Sequence, residues 1–347
     1  LLLNRLDKEK LQEHLFVVVR LLNHGKELVR STDSAARAHL AELNLDAGKK
    51  SMKTSGFYSA RAYFNTGIEL LPSNHQRVYS DLSIDLYSSA AESEYCVGDT
   101  DSMVKHCHDV ISRTNVGLQT KRRAYMTLLS GLTAADRSKE AVVSSVELLA
   151  QLGCNIPTSL LLPRVLAGMM RLRKIAKKGI ENELKDLQPM TDLSHLWIMD
   201  LLGELFRYAY LAADTMLATM TVLKSFEMIL KHGRCTVLPV ILAQVGQIFV
   251  TIGVSSDNYS AGKAFIDEAL KEVGNIKAAK ALYCYTHVMI FNLAYHLVHP
   301  VESGFDHHYH GYTVGMEVGA LENAGWCQSQ VLRNQFMFGG VSLSELM

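Results

Sequence analysis

Proline is scarce in this sequence, 6 in 347 residues. Proline removes a backbone donor and breaks helices, so its scarcity leaves long segments free to be helical and excludes proline-rich linkers. An excess of charge of either sign is also missing. Lys and Arg total 35 and Asp and Glu total 35, which excludes the global basic field of non-specific nucleic-acid binders and the acidic excess of a solvating tail. Cysteine pairs are missing too. Cys96, Cys107, Cys154, Cys235, Cys284 and Cys327 lie far apart with no Cys-x-x-Cys, a pattern of reduced cytoplasmic thiols, and no structural disulfide is expected.

Signatures of chemistry are equally sparse. No Gly-x-Ser-x-Gly elbow, His-Glu-x-x-His helix or kinase catalytic loop occurs, so the segment is expected to have no catalytic residue and no cofactor. Runs of β-branched alternation bounded by turn signals are lacking, and essentially no sheet is expected.

Hydrophobic residues, 48% of the chain, are present in quantity and recur with helical period. Leu15, Val18, Val19 and Leu22 form one stripe of a helical pattern running from Leu11 to Leu28, its stop expected at Asn23-His24-Gly25 or slightly beyond. A second helix is predicted from Ser34 to Lys53 and, after Thr54-Ser55-Gly56, a third that ends at Pro72. This hairpin recurs at Tyr79–Ile111, Leu118–Leu152, Val237–Val273 and Ala279–Val318, and Leu321–Phe338 begins another. Small residues followed four positions later by an aromatic mark the expected helix crossings: Ala60 and Phe64, Ala91 and Tyr95, Ala261 and Phe265, with Gly48 and Gly67 beside the first. The prediction is an all-α, tetratricopeptide-like (TPR-like) α-solenoid of antiparallel helix hairpins with spacing near 40 residues. Three regions are expected: N-terminal repeats over 1–156, a helical middle segment over 157–234, and C-terminal repeats over 235–347.

The middle segment departs from the hairpin rhythm. It opens with a basic amphipathic helix carrying Arg164, Arg171, Arg173, Lys174, Lys177 and Lys178, our candidate interaction residues. Thr236 to Ser256 holds no charged residue, but Gln244, Gln247 and Pro239 interrupt it, so a helix sandwiched between neighbours is expected rather than a membrane span.

Two clusters have the residue types of a ligand site. Gly48-Lys49-Lys50-Ser51 is the nearest thing to a phosphate loop, but no Gly stands five residues before Gly48 and the segment is mid-helix, which favours helix packing. His299, His307, His308 and His310, with Glu302 and Asp306, are the densest set of metal-ligand types. A solvated helix start is favoured there, because structural zinc takes four closed ligands. In Lys105-His106-Cys107-His108-Asp109, consecutive helical residues diverge and cannot converge on one ion. Trp197, Phe206, Tyr208 and Tyr210 are the aromatics a small-molecule pocket would use.

Several stretches carry a family resemblance: Ala41 to Lys50 followed by Ala60-Arg61-Ala62-Tyr63-Phe64 and Gly67 to Pro72; Ala90 to Tyr95 with Gly98-Asp99; Leu152-Gly153 with Ile156-Pro157; Leu187 to Asp192; and His299-Pro300 through Gly315 to Ala324. Over roughly Leu11 to Met347 the chain resembles the helical region of large STAND-type signalling ATPases. In that family a predicted ATPase, often behind a serine/threonine kinase-like domain, precedes this region, and GAF and histidine-kinase or other output domains follow it. The resemblance implies a cytoplasmic regulatory scaffold binding a protein, a peptide or other domains of its own polypeptide, with the nucleotide loop and output motifs outside this segment. The opening Leu1-Leu2-Leu3-Asn4-Arg5, without Met, and the close at Ser344-Glu345-Leu346-Met347 are read in the same sense, as the ends of a piece of a longer chain. A free-standing adaptor and a small-molecule sensor are the other readings the residues leave open.

Overall fold

The computed structural model describes residues 13–30, 33–157, 159, 161–252, 255–273 and 280–338. Among them are eighteen α-helices, two short 3-10 turns and no strand. The chain divides into two compact units, Leu1–Ala141 and Val142–Met347.

The first unit begins with α1 (Leu15–His24) and α2 (Lys26–Arg30). The first ends at the expected stop, Asn23-His24-Gly25, with the Gly25 N–H turned back to the Leu22 carbonyl at 3.0 Å, and a second short helix follows at once. Then come α3 (Ser34–Lys53), α4 (Phe57–Leu70), the one-turn α5 (His75–Val78), α6 (Ser80–Val97), α7 (Thr100–Ile111) and α8 (Leu118–Ala134). The boundary between the units falls inside α9 (Ser138–Gln151). Local chemistry sets these limits. Asp33 starts α3 by accepting from the Ala36 N–H at 2.7 Å. Gly98 ends α6 at φ 80°, which a residue with a Cβ adopts reluctantly, and Asp99 at once caps α7 through the Ser102 N–H at 3.1 Å.

Packing in this unit follows a fixed order: α3 on α4, α4 on α6, α6 on α7 and α7 on α8, while the first helix of each pair also meets the first of the next, α3 with α6 and α6 with α8. The core between them holds Leu40, Leu43, Leu45, Phe64, Leu70 and Leu86. Each such side chain contributes about 1.5–3 kcal/mol when fully buried. Gly67 is where α4 approaches both neighbours: a methyl built on it would lie 2.6 Å from Leu86 Cδ2 and 3.3 Å from the Ala41 carbonyl oxygen.

The second unit contains α10 (Leu161–Lys178), α11 (Ile180–Leu184), α12 (Leu193–Leu211), α13 (Thr215–His232), α14 (Leu238–Ile252), α15 (Ser256–Val273), α16 (Lys280–Leu293), α17 (Phe305–Glu317) and α18 (Leu321–Phe338). Pairs α12–α13, α14–α15 and α16–α17 pack internally, and α13–α14, α15–α16 and α17–α18 join them in sequence. The expectation that the whole middle segment departs from the hairpin rhythm is therefore corrected. Only α10 and α11 do so; α12 and α13 form a pair like the others, joined by a turn with Ala213 at φ 58° and capped by Asp214 on the Leu217 N–H at 3.0 Å.

Helices α14 and α15 cross backbone to backbone. A methyl on Gly246 would lie 2.7 Å from the Gly262 carbonyl oxygen, and one on Gly262 would lie 2.8 Å from that of Gly246. Phe249 and Phe265 stack beside it with centroids 6.0 Å apart, and Phe226 meets Phe265 edge-on at 5.8 Å. No helix among the described residues is long and apolar enough to cross a membrane.

One packing residue is corrected. Ala60, Phe64, Ala91, Ala261 and Phe265 are buried, but Tyr95 is 42% exposed. The space beside Gly131 is filled by the Met103 thioether, with the edge of the Tyr95 ring 3.6 Å from where a Gly131 methyl would stand. Methionine's unbranched thioether suits such an irregular gap.

Candidate interaction surface

In the first unit, α6 presents Asp85, Ser89 and Glu92 at i, i+4 and i+7, one helical face. Arg123 of α8 reaches all three: Nη1 to Asp85 Oδ1 at 2.9 Å, Nη2 to Ser89 Oγ at 3.1 Å, and Nε and Nη2 to the two Glu92 oxygens at 2.8 Å each. Lys49 of α3 closes the row through Asp85 Oδ2 at 3.1 Å. The Glu92 hydrogen bonds raise the pKa of Arg123 above its ordinary value. Such half-exposed pairs contribute only about 0–1 kcal/mol to stability. Their consequence is instead a charged wall whose donors and acceptors stand in fixed positions.

A second polar group lies deeper. The Glu94 carboxylate, 1% exposed, accepts from His106 Nδ1 at 2.8 Å and lies 4.0 Å from Arg61 Nε, while Arg61 also holds Asp99. Burial above all, helped by Glu94 and Glu92, pushes the neighbouring Cys107 thiol up to about 12. Arg113 donates to Ser83 Oγ at 2.8 Å, and its guanidinium carbon stands 5.4 Å from the Tyr87 ring centroid.

Gly48-Lys49-Lys50-Ser51 lies within α3, with Lys49 turned to Asp85 and Gly48 against Phe64. No strand-to-helix turn presents its backbone N–H groups to an anion. His106 turns to Glu94 and Cys107 is buried, whereas His108 is exposed, so these neighbours diverge.

In the second unit, the six cations of the basic helix all lie on α10. Its opposite face buries Val165, Met169, Leu172 and Ile175 against α13 and α15. Arg173 is committed to Asn258, and Lys177 to Asp257 at 3.3 Å. Arg164, Arg171, Lys174 and Lys178 are exposed and form no ion pair among the described residues.

The histidines are drawn into ring packing. His307 stacks on Phe291 with centroids 4.1 Å apart, His310 lies 5.8 Å from His287, and His299 Nε2 stands 3.3 Å from Asp267 Oδ1. His308 is buried, and desolvation, helped by His307 and His296, lowers it to about 4. Among the described residues no three His, Cys, Asp or Glu side chains are grouped so as to hold a metal ion. Trp197 and Tyr208 are fully buried while Tyr210 is 59% exposed, so these aromatics do not face one hollow.

Sequence reading missed the Lys49–Asp85–Arg123–Glu92 row and the Arg61–Glu94–His106 group. The i, i+4, i+7 spacing of Asp85, Ser89 and Glu92 was a legible signal for the first. Nothing local marked the second, whose members come from three helices.

No protein-family model matches the chain, and no curated protein matches it in sequence.

Proposed function

We propose that the chain is a TPR-like α-solenoid that serves as a non-catalytic scaffold and regulatory region of a multidomain, cytoplasmic signal-transduction ATPase or kinase, contacting protein segments or other domains of its own polypeptide. The observation that carries this reading is the packing order in the first unit, in which each pair rests on the next and first helices meet first helices. Hairpins stacked in this way bury a continuous core that no single hairpin can supply, and they leave a wall of first helices free for a partner. Here that wall carries Lys49, Asp85, Glu92 and Arg123. The signalling context rests on the family resemblance of the packing motifs.

Reading the gene on both sides of this segment tests the context. An ATPase module before it and an output domain after it are expected; an open reading frame that stops at both ends would replace this reading with a free-standing adaptor. The absence of catalysis is tested on the purified chain. ATP turnover abolished by Lys49→Ala would overturn it, since Lys49 is here a partner of Asp85 inside a helix.

A further inference from the structure

Helix α10 stands outside the pairing order and displays an unusual crest. Stepping by four, Leu162, Leu166, Met170, Lys174 and Lys178 are all exposed, the first three at 54, 55 and 63%. The adjoining row, Pro163, Ala167 and Arg171, is exposed as well. Along one line the surface is therefore apolar for more than two turns and then cationic, and α10 contains no acidic residue. Two acids of the helices beneath it are matched: Asp257 with Lys177, Glu227 with Lys224 at 3.2 Å. Beside the crest, α10 and α13 enclose a small hollow of about 140 Å³ rimmed by Arg164, Arg171 and Lys224.

From this surface we infer that α10 docks the protein on an anionic lipid surface, lying in the interfacial plane with Leu162, Leu166 and Met170 at the acyl boundary and Arg164, Arg171, Lys174 and Lys178 among the phosphates. The exposed side of α10 sets apolar side chains beside cations with no carboxylate among them, the composition that an interfacial helix offers to hydrocarbon and anionic headgroups. The crest is convex, the outer side of a single helix whose inner side is anchored on α13 and α15. The inference goes beyond the scaffold function and stands independently of it, because it concerns a helix that the repeat order does not use.

Vesicle sedimentation of the whole chain tests it. Binding is expected to vesicles of phosphatidylcholine with phosphatidylserine and not to phosphatidylcholine alone, and to weaken between about 0.1 M and 1 M salt as the Debye length shrinks. Each cation removed should cost roughly fivefold in partitioning, so Arg164→Gln, Arg171→Gln, Lys174→Gln and Lys178→Gln together should lower it by a few hundredfold. Leu166→Ser with Met170→Ser should weaken it by about tenfold or more while lowering the melting temperature only slightly, because both side chains are more than half exposed. Absence of binding to the phosphatidylserine vesicles, equal binding to both vesicle types, or insensitivity to the quadruple change would overturn the inference. So would binding to poly-glutamate tighter than to vesicles and unaffected by Leu166→Ser/Met170→Ser, which would assign the face to an acidic protein.

Discussion

Gly48 and Phe64 are a single packing unit. A methyl group on Gly48 would lie 2.2 Å from Phe64 Cε1, so the ring of α4 occupies the space that a side chain on α3 would need. The close approach of the two helices depends on that vacancy. Phe64→Ala should cost on the order of 3–5 kcal/mol through cavity formation, and Gly48→Ala about 1–3 kcal/mol through overpacking. The double change should be less harmful than the sum, because the smaller residue at 64 makes room for the methyl at 48. Chemical denaturation of the four proteins measures this coupling; strict additivity would contradict the contact.

Hydrogen exchange should show where that damage stops. Leu45, Phe64 and Leu86 share one core cluster and Phe265 belongs to the other compact unit, so Phe64→Ala should reduce amide protection around Leu45 and Leu86 while leaving Leu242 and Phe265 largely protected. Equal loss across both units would mean that the chain unfolds as one body.

Acid should weaken the second unit through His308. Its folded pKa of about 4 lies below the ordinary 6.5, so the folded state resists a proton that the unfolded chain accepts. Stability from this residue is complete above pH 6.5 and is lost as pH falls toward 4, on the order of 3 kcal/mol in all. The lowered values of His296 and His307 act in the same direction. Melting curves across that interval should show a shallower pH slope for His308→Leu than for the parent.

Ala213 is held at φ 58°, a left-handed conformation that is costly for a residue with a Cβ. Ala213→Gly relieves that strain but frees the unfolded chain. The expected net effect is a gain between zero and about 1 kcal/mol. A lower melting temperature would show that the methyl group is needed at this turn.

Thiol labelling of the native protein should begin at Cys96, the exposed cysteine among the six. Burial pushes Cys107 and Cys327 up to about 12 and Cys235 up to about 11, which leaves almost no thiolate to react at neutral pH. Cys96→Ser should therefore remove the fast phase, and the remaining thiols should react only on unfolding.

What the sequence by itself determined is local. The helical period, the Gly-Asp stop and start at Gly98-Asp99, the mid-helix place of Gly48-Lys49-Lys50-Ser51 and the amphipathicity of α10 follow from spacing and residue type, because the interactions behind them reach no further than one or two helical turns. Tertiary structure decided the rest. Tyr95 is 42% exposed although it follows Ala91 by four as Phe64 follows Ala60, because which side chain fills a crossing depends on the facing helices, here with Met103 against Gly131, and no spacing records that. α12 and α13 proved to be an ordinary pair, although charge and proline nearby had obscured their rhythm. The Arg123 row and the Glu94–His106 pair join residues 31 to 38 and 12 positions apart respectively. Such pairings depend on how the helices cross, and the crossing is set by small side chains such as Gly67 and Gly246, whose effect is felt only when another helix arrives to fill the space they leave.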